Sequence, residues 1–185
     1  ILSFSNLSIS TEEAHMSKRY KRYFIKAKEA KEILREASEK LRLNLEDLFG
    51  SEARMEVVEA DFGKIFLLNS NPILFKGNGE IFPTLHFEAF ISIAPKVSVD
   101  MGAVPHICNG ADVMAPGIVH FKGSFSKGDL VVVVDERHDK PIAIGEIIYS
   151  SDEVSKVKRG VVVKNIHFVG DRVWNFIKSL MKPAE

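Results

Sequence analysis

Apolar and polar positions along this chain change their period near the middle, and the change divides it in two. Ala27, Ala30, Ile33, Leu34, Ala37 and Leu41 recur at intervals of three and four, which predicts an amphipathic helix over Phe24–Leu43. Leu45–Phe49 adds a helical turn that Gly50 ends. Met55–Ala60, Lys64–Leu68 and Pro72–Lys76 are short apolar segments separated by Asp61-Phe62-Gly63 and Asn69-Ser70-Asn71, and they read as antiparallel strands. Asn78-Gly79 is a hairpin dipeptide, and Thr84 is placed to cap a helix over Leu85–Ile91. Gly77 and Gly79 make no dinucleotide loop, because Phe82 stands where the third glycine is needed.

Ala94-Pro95 breaks the pattern, and the sequence beyond it is strand-rich. Strands are expected at Val97–Val99, Gly117–Phe121, Leu130–Val134, Ile142–Tyr149 and Val161–Val169, with a short helix over Gly102–Cys108. Many short strands separated by Gly, Asp and Pro turns suggest a small closed barrel. A helix over Asp171–Met181 follows, with Asp171 as N-cap and Val173, Trp174, Ile177 and Leu180 on one face. The expected fold class is α+β: an N-terminal α/β domain over 16–95, then a small β-barrel with short helices over 96–185 that carries the C-terminal helix. Residues 1–15 are Ser-rich and read as an N-terminal extension without the pattern of a secretory signal.

Composition narrows the functional classes. The 185 residues are 45% hydrophobic and 27% charged, which is globular, and no apolar run approaches the roughly 20 residues of a membrane span. The single cysteine, Cys108, leaves no internal disulfide and no cysteine-based zinc site. Glutamine is absent while Lys, Arg and Glu are plentiful, a heat-adapted pattern. Net charge is zero but unevenly spread: Ser17–Arg42 holds ten basic and four acidic residues, and Asn44–Asp61 holds six acidic and one basic. Lys18, Arg19, Lys21, Arg22, Lys26, Lys28 and Lys31 therefore form a candidate phosphate-binding surface, with a solvated helix face as the alternative.

Val99-Asp100-Met101-Gly102-Ala103-Val104, Asn109-Gly110-Ala111-Asp112-Val113-Met114-Ala115-Pro116-Gly117-Ile118 and Phe125-Ser126-Lys127-Gly128-Asp129-Leu130 follow one another in a recognisable order. With Ala143-Ile144-Gly145 and Gly160-Val161-Val162-Val163, this series resembles the signature of PUA domains, the RNA-binding domains named for pseudouridine synthases and archaeosine transglycosylases. Phe82-Pro83-Thr84-Leu85, Ser155-Lys156-Val157 and Asn165-Ile166-His167-Phe168 followed by Trp174 extend the likeness. The chain is similar there to the archaeal and eukaryotic proteins of the malignant T-cell amplified sequence family, which pair a pre-PUA domain with a PUA domain. Ala115 departs from the cysteine of the eukaryotic members.

That resemblance implies RNA binding in translation: contact with the small ribosomal subunit and tRNA during initiation, reinitiation or recycling, with a translation-factor partner in eukaryotes. Gly102, Ala103, His106, Asn109 and Gly110 are the candidate RNA contacts, since glycine lets the backbone approach a sugar-phosphate closely. Lys122, Arg137, Lys156, Lys158, Arg159 and Lys164 are the candidate phosphate ligands beside them. The histidines form no metal-ligand pair, no nucleophile has a base at the required spacing, and Arg137-His138-Asp139 reads as a solvated loop tip. The expected protein is a cytoplasmic, non-enzymatic binding module without metal or cofactor. The alternatives are an accessory or detached tail of an RNA-modifying enzyme, and a protein-interaction scaffold in ribosome assembly.

Overall fold

The computed structural model describes residues 20–50 and 54–182. Its first half is a five-stranded antiparallel sheet in sequence order: β1 (Lys21–Phe24), β2 (Met55–Ala60), β3 (Gly63–Leu68), β4 (Asn71–Gly77) and β5 (Glu80–Pro83). Between β1 and β2 run helices α1 (Ala27–Leu41) and α2 (Leu45–Phe49), the latter capped by the Asn44 side chain, which accepts from the Asp47 amide. Ala30, Leu34, Ala37 and Leu41 of α1 pack on the face of the sheet formed by Met55, Val57, Phe66 and Leu68. The structure starts the helix three residues later than the expected Phe24. Phe24 instead ends β1, which pairs with β2 while Arg22 forms an ion pair with Glu56. Apolar residues at helical spacing begin only at Ala27, so the basic run before it was free to become a strand.

Thr84 is a second departure. It is fully buried, donates its hydroxyl to the Pro72 carbonyl and accepts from the His86 amide, instead of capping a helix. Helix α3 (Glu88–Ile93) therefore begins three residues beyond the expected Leu85. A threonine hydroxyl that bonds a neighbouring strand's backbone is diverted from the cap.

The second half is a six-stranded sheet in the order β7-β11-β10-β9-β6-β8. Its strands are β6 (Lys96–Val99), β7 (Val113–Met114), β8 (Ile118–Lys122), β9 (Leu130–Asp135), β10 (Pro141–Ile147) and β11 (Val161–Phe168). All pairings are antiparallel except β6 with β9. The two edge strands, β7 and β8, are joined by a 3-10 turn over only Ala115–Gly117, so the sheet must curl back on itself. The sheet curls on itself into the small β-barrel fold expected, with pairings among the described residues running from β7 at one edge to β8 at the other. Two short helices decorate it, α4 (Val104–Ile107) and α5 (Ser151–Val154), and α5 carries a Ser150–Glu153 capping box.

Strand β9 is buried on both faces. Val131 and Val133 enter the interior of the curled sheet with Val97, Ile107, Val113 and Val163, while Leu130, Val132 and Val134 join Leu85, Phe87 and Phe90 in the core of the first half. The last helix, α6 (Arg172–Leu180), follows the second sheet in sequence and packs on the first. Val173 and Ile177 cover Val58, Ile65, Leu67 and Phe75, on the face of the first sheet opposite α1. Asp171 caps α6 by accepting from the Trp174 amide at 2.7 Å, and its other oxygen meets Nδ1 of fully buried His167, also at 2.7 Å. Burial raises the proton affinity of Asp171, but His167 and the Trp174 and Phe168 amides outweigh it, and the carboxyl sits below its ordinary 3.8. Burial and the neighbouring His167 push His86, which stacks near Trp174, below 6.5.

Both shifts lower a folded-state value, so both stabilise the fold at neutral pH and are lost as pH falls. Denaturant titrations should show stability declining below about pH 6.5 as His86 gains its proton, then further below 3.8 as Asp171 is protonated. Asp171→Asn should reduce the lower step, to which Glu80, Asp135 and Glu153 also contribute, and shorten α6, and pH-independent stability between 7 and about 3 would contradict this. Removing the α6 anchor by Ile177→Ala should cost about 2–5 kcal/mol in the same titration.

Candidate nucleic-acid interface

The segment from Asp100 to Ala111 is a short surface arch fastened at both ends. At its start the Asp100 carboxylate accepts from the Ala103 amide at 2.8 Å, and the Asp100 amide donates to the Gly117 carbonyl at 2.9 Å. A Cβ on Gly117 would lie 3.0 Å from that of Ala103, so this crossing needs glycine. At the other end Asn165 of β11 donates its amide group to the carbonyls of Ile107 and Ala111, each at 3.0 Å. Asp112 returns a carboxylate to the Asn165 backbone amide at 2.8 Å. Gly110 has φ +93°, and a Cβ there would meet the Phe168 ring at 3.3 Å. Ile107 is buried beneath the arch, while Gly102, His106, Asn109 and Gly110 are exposed and Ala103 is half-buried against the core.

The structure brings only some of the phosphate candidates to this arch. Arg137 lies beside its start, because Glu136 donates its amide to Val99 and accepts from the Met101 amide. Lys164 is exposed on β11 immediately before Asn165, at the other end. Lys156, Lys158 and Arg159 occupy the loop between α5 and β11, joined to the Ala115–Gly117 turn where Gly160 accepts from the Ala115 amide. Lys158 bonds the Ser155 carbonyl at 3.2 Å. Lys122 is distant: it ends β8 opposite Lys96, four residues from Ile118, roughly 13 Å at strand rise. Sequence reasoning missed Asn165 as the residue that holds the arch. Its only signal was a place in the Asn165-Ile166-His167-Phe168 likeness.

The expected second basic surface is less uniform than its charge count. Lys18 and Arg19 lie outside the described residues. Lys21 and Arg22 sit on β1, where Glu56 neutralises Arg22. On α1, Lys28, Lys31 and Arg35 follow one side of the helix, while Glu29, Glu32, Glu36 and Glu39 follow the adjacent side, so the solvent face carries two stripes of opposite sign. Lys26 stands at the N-cap position of α1. Cys108 is half-buried at the end of α4, where burial raises its thiol. Asp135 organises the loop carrying Arg137 and His138 by accepting from the amides of Arg137, His138 and Lys140. Among the described residues there is no cluster of three potential metal ligands, and no helix is long and apolar enough to cross a membrane.

The curled sheet with its glycine-pinned arch defines the class as a PUA-domain protein with a domain preceding the PUA fold. The PUA domain family model matches residues 95–169, and a domain of unknown function, DUF1947, matches residues 21–87. An uncharacterized protein of Methanocaldococcus jannaschii is 39% identical over 158 residues, covering 84% of this chain and 96% of that one. Translation machinery-associated protein 20 of Saccharomyces cerevisiae is 27% identical over 140 residues, covering 71% and 77%. The crystal structure of a PUA domain protein from Aeropyrum pernix K1 superposes with a TM-score of 0.74 at 28% identity, covering 86% and 92%. The chain belongs to the pre-PUA and PUA family that joins these archaeal proteins with the malignant T-cell-amplified sequence and translation machinery-associated 20 proteins.

Asn165→Ala removes the side-chain donor to the Ala111 carbonyl and one of two donors to the Ile107 carbonyl, which also accepts from the Gly110 amide, a loss of about 1 kcal/mol. Amide hydrogen exchange should then accelerate in residues 102–111 well before the β9–β10 core. Unchanged protection there would mean that Asn165 does not hold the arch.

Proposed function

We propose that the protein is a non-catalytic RNA-binding module of the translation machinery, working in the cytoplasm on the small ribosomal subunit and tRNA during initiation, reinitiation or recycling. The observation that carries this reading is the arch, which exposes His106, Asn109 and Gly110 on a backbone fixed from below by Asn165 and Asp100. A rigid, protruding backbone with a glycine at its tip can lie against a sugar-phosphate chain without first being ordered. Arg137 and Lys164 flank it to pair with phosphates, and the loop of Lys156, Lys158 and Arg159 extends the contact past the Ala115–Gly117 turn. The names of the family's translation machinery-associated members point to the same setting.

The domains divide at Ala94-Pro95 in this reading, with 16–95 as the pre-PUA part and 96–185 as the PUA part with its terminal helix. The pre-PUA part supplies a second contact, made by Lys21, Lys26, Lys28 and Lys31 and extended by Lys18 and Arg19, or holds a translation-factor partner. Lys122 belongs to a separate strand end and contributes little to the arch.

RNA binding should be strongly salt-dependent. If ~4 phosphates are neutralised, log K should fall against log salt with a slope of about −3 to −4 in fluorescence anisotropy with tRNA or small-subunit RNA. Lys164→Glu with Arg137→Glu should weaken binding by about tenfold or more at low salt, and the defect should shrink as salt rises. Gly110→Val should weaken it at every salt concentration while the circular dichroism spectrum is retained. A flat salt response, or wild-type binding by both variants, would overturn the proposal.

A further inference from the structure

Between α1 and the first sheet lies a groove of about 590 Å3, on the half of the molecule that does not carry the arch. Val57 and Phe66, both almost completely buried, form its floor, with half-buried Ile33 and the exposed ring of Tyr23 above them. One wall is the glutamate stripe of α1: Glu29, Glu32, Glu36 and Glu39. Cations enter the opposite wall, but they are already engaged, since Lys76 meets Glu36 at 3.4 Å and Lys64 meets Glu59 at 3.6 Å. Among the described residues Glu29, Glu32 and Glu39 have no cation within 4.0 Å, and Arg35 is the remaining basic group of the lining. β1, which contributes Tyr23, is the edge strand of its sheet and also exposes Phe24.

We propose that this groove docks a basic, partly apolar polypeptide segment of a partner protein. The exposed Tyr23 ring and half-buried Ile33, above the Val57 and Phe66 floor, offer apolar surface to aliphatic side chains, and the volume accommodates two or three of them. The glutamate wall offers carboxylates to the lysines or arginines that alternate with them. An RNA strand is the wrong occupant, because its phosphates would face Glu29, Glu32 and Glu39 with Arg35 as the one unengaged cation of the lining. Apolar burial supplies affinity here, and the charged wall selects the sign of the partner and accelerates its encounter. The inference does not rest on RNA binding by the arch: it assigns the pre-PUA half a protein partner through the glutamate side of α1, which meets the lysine stripe at Arg35.

The test uses the full chain and a fluorescein-labelled synthetic peptide of about twelve residues alternating Leu and Lys, with anisotropy as the readout. Saturable binding is expected, and Glu29→Lys with Glu32→Lys and Glu39→Lys should weaken it by about tenfold or more. An off-groove triple, Glu46→Lys with Glu88→Lys and Asp152→Lys, carries the same change in net charge and should stay within about threefold of wild type. Ile33→Asp should weaken binding even at high salt, where the charged wall is screened. Equal losses in the two triples would reduce the effect to general charge attraction and overturn the proposal, as would competition for the groove by an RNA oligonucleotide of equal length. Binding of tRNA by the wild-type chain, measured separately, tests the RNA-binding reading independently of the peptide.

Discussion

The burial of β9 on both faces is the constraint from which the rest of the architecture follows. Val131 and Val133 belong to the interior of the curled sheet, and Leu130, Val132 and Val134 to the core built on the first sheet. Neither half can therefore withdraw without exposing a row of valines to water, at a cost of roughly 1.5–3 kcal/mol per side chain. Helix α6 reinforces the joint by crossing back to the first sheet, and Arg42 at the end of α1 reaches Asp129 beside β9 at 2.7 Å. The arch on one half and the glutamate groove on the other are consequently held at a fixed separation.

That fixed geometry gives the charge distribution its meaning. A protein of zero net charge gains little from long-range attraction to nucleic acid, so the RNA contacts proposed for it are local and shaped. The arch fits this requirement: its tip is exposed, its foundation is hydrogen-bonded, and its cations are few. The two stripes of α1 extend the same logic, since one helix carries lysines along one side and glutamates along the adjacent side.

Much of this was legible in the sequence. The five-residue apolar run Leu130–Val134 marked a strand, and its lack of alternation already implied cover on both sides. The glycines of the arch were legible because their spacing resembles a PUA signature, and Asp171 was legible as a cap. What failed was local chemistry that depends on distant partners. Lys21–Phe24 is a strand because its backbone pairs with β2, and Thr84 leaves its helix because the Pro72 carbonyl is within reach. β7 has two residues, too few for any period. The Ser150–Glu153 capping box, by contrast, was a signal present in the sequence and passed over. In the site, Asn165 was invisible as a brace because its partners lie 54 and 58 residues earlier.

The most direct measurement of the central claim is photo-crosslinking of the full chain to small ribosomal subunits, with the RNA-linked residues mapped by mass spectrometry. Crosslinks are expected along residues 102–110, at Arg137 and at Lys164, with none from the glutamate wall of α1. Crosslinks confined to the first half, or none to RNA at all, would contradict the assignment of the arch as the RNA-binding surface.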